Sequence, residues 1–342
     1  MTRSVNLQYA LLLLALVSFT PTWTSQVSGV PVTLRGVSAA SDRVAWASGA
    51  GSTVLRTTDG GETWQRVAVT TDRVDFRDVD AIDDKTAYVL SIGNGPASRI
   101  YKTVDAGATW TQQFATSDPK VFLDAMTFWD AAHGIVVGDS IDGQFDLLIT
   151  EDGGQTWSRV PEQALPAALP NEGAFAASGT NIAAVGREAW IGTGAAATAR
   201  VLHTRDRGRT WTVATTPLIA GSSAGIFSVA FRDSLHGVVV GGDYRKEQDA
   251  TDNVAVTSDG GSTWTLVRDH GLSGFRSVVA YQPGAVATLI AVGPQGADWS
   301  TDDGRSWAPL PGPGFHTFSF SPTGHVGWGA GPRGTVGRLD VR

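Results

Sequence analysis

From residue 34 onward, short apolar runs alternate with polar, glycine-rich connections. One unit shows the pattern. An apolar run at Phe76-Arg77-Asp78-Val79 predicts a first strand, and after a turn Ala87-Tyr88-Val89-Leu90 predicts a second. A variable connection leads to a third strand over 98–103, and a polar turn follows. Later units begin at Phe122, near Phe175, at Phe227 and at Phe275. Their second strands are expected over 134–138, 182–186, 237–241 and 289–293. Four short strands in each period of about 40–50 residues describe one blade of a β-propeller.

The polar turn is itself a repeat. Thr57-Thr58-Asp59-Gly60-Gly61-Glu62-Thr63-Trp64 returns around Asp105 and Trp110, Asp152 and Trp157, Asp206 and Trp211, Asp259 and Trp264, and Asp302 and Trp307. The shared pattern is S/T-x-D-x-G-x-S/T-W, with Asp-to-Asp spacings of 46, 47, 54, 53 and 43 residues. An aspartate at this place accepts bonds from amides a few residues on and so holds a hairpin turn. The glycine two residues later suits a positive φ. The tryptophan opens the next strand and packs between neighbouring sheets, burying about 150–250 Å². These aspartates and tryptophans are expected to be structural. The pattern resembles the Asp box, or bacterial neuraminidase repeat, of β-propellers. In that family the box marks the turn between the third and fourth strands of a blade.

Six boxes do not settle the number of blades. After Trp307 the chain offers three more strands, over 315–320, 326–330 and 335–339, with no box and no fourth strand. Thr22-Trp23 stands 11 residues before Leu34, as Trp264 stands 11 before Phe275. The fold expected is therefore an all-β, seven-bladed propeller with four antiparallel strands per blade, in which residues 22–28 complete the last blade. Six blades with a C-terminal appendage is the alternative.

Composition narrows the function. The chain has 342 residues, 26 Lys and Arg against 33 Asp and Glu, and a net charge of -7. An acidic chain lacks the basic footprint of a phosphate-backbone binder, so no nucleic acid is expected. Cysteine is absent, which excludes disulfides, thiolate metal sites and a catalytic cysteine. No metal-ligand spacing, phosphate loop or nucleotide fingerprint is present, so no cofactor or metal is expected. At the N-terminus, Arg3 precedes an apolar run over 9–19 and then Thr-Pro-Thr. That is too short to span a bilayer, which takes about 20 residues, and reads as a signal peptide over 1–20. An uncleaved anchor is the alternative. Export to a periplasm or the exterior follows as an expectation, with residues 22–342 forming one propeller domain, acting as a monomer.

Propeller topology places the segments before first strands and after second strands on one face, here termed the top, opposite the boxes. Candidates on it are Arg35, Arg77, Asp124, Arg276 and His316 before or on first strands, and Asp139, Arg187, Glu188, Trp190, Asp243, Tyr244 and Arg245 after second strands. The longest connections, 161–173, 187–199 and 242–253, fall in blades three to five by this reading. Extra length in a fold that needs only tight turns points to function. Arg35, Arg77 and Arg276 hold matching positions and are expected to converge near the pore; clustered guanidinium groups suit a carboxylate or phosphate. Pairing of each with a nearby aspartate is the competing expectation.

The blade pattern, an aromatic strand start, G-x-x-V-G and then T-x-D-G-G-x-T-W, resembles the photosystem II stability and assembly factor family. The resemblance implies a non-catalytic scaffold that binds an envelope or membrane protein through an arginine-bearing top face, with Arg77 and Arg276 as the matching positions. Nothing in the sequence indicates a phototroph. The alternative is a glycoside hydrolase of sialidase type, whose partner is a glycan. That chemistry requires three arginines, a Tyr–Glu nucleophile pair and an acid; Tyr244 and Glu247 lie on the right face, but Leu34-Arg35-Gly36-Val37 replaces the expected Arg-Ile-Pro.

Overall fold

A computed structural model describes residues 21–341, and the expected leader over 1–20 lies outside the described residues. Seven four-stranded antiparallel sheets follow one another around a central channel. Short β-rich runs separated by glycine turns form each blade: in blade 1 these are Leu34–Ala39, Ala45–Gly49, Thr53–Thr57 and Gln65–Val67, counted from the channel outward. Glycines and β-branched residues let the strands of the second row, such as Gly237–Asp243, be buried almost completely.

The seventh blade closes the ring. Thr317–Phe320, Val326–Ala330 and Thr335–Asp340 supply three strands, and Thr22–Val27 pairs antiparallel with the third, Trp23 opposite Leu339. Trp23 packs on Phe315 and Phe318, with ring centroids 4.7 and 5.8 Å away. On its other side Gln26 donates through Nε2 to the Gly60 carbonyl at 2.9 Å and accepts from Trp64 Nε1 at 3.1 Å. The N-terminal strand thus joins blade 7 to the box of blade 1.

The boxes are built alike. In the first, Thr63 donates its amide to Asp59 Oδ1 at 3.0 Å and its hydroxyl to Oδ2 at 2.6 Å, while Gly61 donates its amide to the Thr57 hydroxyl at 2.9 Å. The same bonds recur at Asp105, Asp152, Asp206, Asp259 and Asp302. Aromatic residues of second strands run beneath the box of the next blade: Tyr88 donates to the Gly153 carbonyl at 2.7 Å and Trp190 to that of Gly260 at 2.9 Å. The boxes therefore bind blades to each other as well as closing hairpins.

Blade 4 departs from expectation. Ile182–Val185 is its innermost strand, paired with Glu188–Gly192, and not its second. The residues expected to form its first strand, around Phe175, belong to a long connection that leaves the outer strand of blade 3 at Arg159 and reaches blade 4 only at Ile182.

Candidate functional site

The long connection after blade 3 is anchored first. The Glu172 side chain, fully buried, forms an ion pair with Arg200 and accepts from Thr193 Oγ1 at 2.6 Å and from the Leu169 amide at 2.8 Å. Arg200 also donates to the Ala167 carbonyl at 2.9 Å. Beyond this anchor, residues 173–181 turn into the channel and bond to blades far apart in sequence. Arg77 of blade 2 donates to the Ala176 carbonyl at 3.0 Å. Ser178 donates to the Ser277 carbonyl of blade 6 at 2.8 Å, and Thr317 of blade 7 donates to the Ser178 carbonyl at 3.2 Å. The segment plugs the channel, so the top of the pore ends in a bowl.

Three aspartates from blades 2 and 3 stand against this plug. The Ala174 amide is directed at Asp139 and the Ala176 amide at Asp124. A Cβ at Gly173 would overlap the Asp139 carboxylate, and one at Gly179 would overlap that of Asp78. Gly179 also has φ +77°, a conformation open to glycine and costly to other residues. Asp78 accepts from the Met126 amide at 2.8 Å and so also binds blade 2 to blade 3.

The bowl has a volume of about 370 Å³, and its wall is built by the plug and by every blade except blade 4. Three kinds of surface meet there. Arg35 and Arg77, with His316 beside them, form a cationic side. Phe175 stacks on Phe227 with centroids 4.0 Å apart, Phe275 meets Phe227 edge-on at 4.7 Å, and the partly exposed Tyr244 ring lies 6.1 Å from Phe227, giving an apolar side. Asp124 and Asp139 form the third side.

Burial sets the charge of these groups. Desolvation and the neighbouring Arg77 lower Arg35 to about 10, which leaves it cationic at neutral pH. Desolvation, then the charges of Arg35 and Arg77, lower His316 to about 4, which leaves it neutral. Asp124 is 1% exposed; its burial, and then the charge of Asp139, push its carboxyl well above the usual range. Burial raises Asp139 to about 6, against the opposing effect of the Ala174 amide. Arg35 Nε and Asp124 Oδ2 are buried polar atoms with no hydrogen-bond partner among the described residues. Arg77 pairs with Asp75 at 2.9 Å.

The bowl brings together Arg35, Arg77, Asp124, Asp139, Tyr244 and His316 among the residues singled out in the sequence. Asp243 and Arg245 flank Tyr244 in the chain and are not among the residues lining the bowl; Asp243 accepts the Arg245 amide at 3.0 Å and the Arg245 guanidinium sits 5.7 Å from the Tyr244 ring centre. Arg276 does not join them. It is 2% exposed and donates to Asp298 through Nε at 2.7 Å and Nη2 at 2.6 Å. Two arginines, and not three, therefore face the bowl.

Arg187, Glu188 and Trp190 are misplaced by the sequence reading. Because Ile182–Val185 is a first strand, the turn after it faces the boxes: the Arg207 amide of the fourth box donates to the Arg187 carbonyl at 3.0 Å. Glu188 bonds His203 Nε2 at 2.7 Å. Trp190 is fully buried, stacked 3.7 Å from Phe231. The first part of the connection expected over 187–199 is the second strand of blade 4, Glu188–Gly192. Sequence reasoning missed the plug itself, although its run of small residues between glycines, Gly173-Ala174-Phe175-Ala176-Ala177-Ser178-Gly179, is the composition a backbone needs to thread among close neighbours. The aromatic side of the bowl was also missed, because Phe175, Phe227 and Phe275 read as strand starts.

Known proteins resemble this chain mainly through the fold. The family described as photosynthesis system II assembly factor YCF48 matches residues 112–226, about a third of the chain. The solved structure of YCF48 bound to D1 peptide shares 17% identity, with a TM-score of 0.65, over 94% of this chain and 97% of that one. YCF48 from Cyanidioschyzon merolae shares 16% identity with a TM-score of 0.66 over 93% and 98%. A propeller outside that group, U3-55K, reaches the same TM-score of 0.66 at 10% identity, over 93% and 98%, so the overall likeness speaks for architecture. No curated protein matches the sequence. The family match and the shared fold together identify the chain as a BNR-type, seven-bladed β-propeller that resembles the photosystem II assembly factor.

Proposed function

We propose that this protein is an exported, non-catalytic scaffold that binds a protein partner of the envelope or membrane at the top face. The observation that carries the reading is the bowl, where Arg35 and Arg77 face an aromatic wall across a plugged pore. Guanidinium groups favour a carboxylate, and the rings of Phe175, Phe227, Phe275 and Tyr244 favour an apolar group beside it. The segment best suited to the bowl therefore offers a carboxylate next to a large apolar side chain. The YCF48 structure with a bound D1 peptide supports peptide recognition as a use of this architecture.

Crosslinking of the tagged mature protein in native envelope extract, followed by mass spectrometry, tests the reading. Reproducible crosslinks from the rim of the bowl, near Lys246, to one envelope protein are expected. Their loss in Arg35→Ala/Arg77→Ala, with the melting temperature retained, locates the contact. Equal capture of the partner by that variant refutes the assignment to the bowl.

A further inference from the structure

The reading above concerns two arginines; the opposite wall of the same bowl carries two acids that it does not use. Asp139 lies in the second strand of blade 3, Gly134–Ile141, one residue beyond the Leu123–Gly138 pair, where the pairing with the first strand shifts register at Asp124. The two carboxyls stand near enough for the charge of Asp139 to act on Asp124. Neither has an ion-pair partner among the described residues. Asp124, buried on the wall, presents Oδ2 without a partner. These are acids held in a ligand-sized cavity whose other side is cationic.

The remaining charges around Asp139 are accounted for. Behind it, Glu172 and Arg200 neutralise one another. On its own hairpin, Lys120 and Asp142 pair at 2.6 Å in solvent. Across the bowl stand Arg35, Arg77 with its partner Asp75, Glu247 bonded to Gln295 at 2.7 Å, and the neutral His316. Asp139, the less buried of the two acids on the wall, whose charge also acts on Asp124, is thus the solvent-facing group whose ionisation changes the net charge that a seated anion meets.

Resting on the assignment of the bowl to a carboxylate-bearing ligand, we propose that Asp139 is a proton switch on this site, taking up a proton from solvent when the ligand's carboxylate is seated. An anion in the bowl disfavours a second negative charge on its wall, so ligand and proton bind with positive linkage. A rise of one unit in the Asp139 pKa on binding makes the ligand about eightfold tighter at pH 5 than at pH 8, and binds about half a proton per site at pH 6.5. Protonation also removes the charge that attracts the Ala174 amide, so the switch reaches the plug.

The probe is N-acetyl-phenylalanine, with its uncharged amide as control, titrated calorimetrically into the mature protein at pH 5, 6.5 and 8 in buffers of different ionisation heat. Binding that tightens toward acid with proton uptake, and that becomes independent of pH in Asp139→Asn, is the expected result. Binding of equal strength at all three pH values overturns the switch and leaves the bowl standing. No binding at any pH overturns the bowl assignment and the switch together. Carboxyl carbon NMR of the free protein, with the Asp139 signal identified by Asp139→Asn, gives a ligand-free check: a midpoint near 6 supports the switch, and one near 4 overturns it.

Discussion

At the scale of single residues, each box requires two consecutive left-handed positions. The glycine two places after the aspartate has φ between +76° and +90° in all six boxes. The residue between them is also left-handed, and in three boxes it is not glycine: Ala106 at +63°, Arg207 at +60° and Asp303 at +62°. A non-glycine residue there costs about 1–2 kcal/mol, while glycine loses about 0.5–1 kcal/mol of chain entropy. Ala106→Gly is therefore expected to stabilise the protein by up to about 1 kcal/mol, read from urea unfolding. Asp139 yields a prediction on pH. Its folded pKa of about 6 lies above the ordinary 3.8, so the native state holds a proton longer than the unfolded chain does. The sign is that stability falls as pH rises from about 4 to 6 and levels off above. Asp139→Asn should reduce the slope of the melting temperature across that window, where Asp80, raised by burial to about 6, also titrates, while keeping an acceptor for the Ala174 amide.

At the scale of elements, the plug and the closing strand are each decided by a few positions. Gly179 combines a positive φ with a backbone pressed on Asp78, so Gly179→Ala is expected to cost about 1–3 kcal/mol. Protection of residues 173–181 from hydrogen exchange should fall in that variant while the blades keep theirs. Removing residues 22–27 takes away the outer strand of blade 7, the Trp23 contacts and both Gln26 bonds. A marked drop in melting temperature is expected, and an unchanged one would argue against closure by this strand. The closing strand was legible because the strand pattern and the spacing of Trp23 repeat those of the other blades. Blade 4 was not, since Phe175 imitates the aromatic start of a first strand. Its backbone instead enters a channel, which no local periodicity records.

At the scale of the whole molecule, arginines at equivalent positions serve different ends. Arg35 and Arg77 face the bowl, while Arg276 and Asp298 form a buried pair. Removing one member of such a pair leaves a charge without compensation, so Arg276→Ala should lose about 3–5 kcal/mol of stability. Arg35→Ala and Arg77→Ala should instead alter binding, with thermal unfolding near that of the parent protein. Circular dichroism melts of the three variants side by side distinguish the two classes.

The sequence by itself determined the propeller class and the box turns and pointed to the closing strand, because each depends on local hydrogen bonding and on a repeat that copies itself along the chain; that the ring closes with seven blades was settled by the pairing of 22–27 with the last strand. It also indicated which face holds Arg35, Arg77, Asp124, Asp139, Tyr244 and His316. Only the tertiary structure decided what those residues meet. Whether an arginine finds a carboxylate, as Arg276 finds Asp298, depends on the second and third strands of its own blade coming into register. The path of residues 173–181 through the pore depends on blades 2, 3, 6 and 7 at once. Such contacts join residues up to 139 positions apart, and their energy resides in burial and in paired charges, which a one-dimensional pattern does not carry.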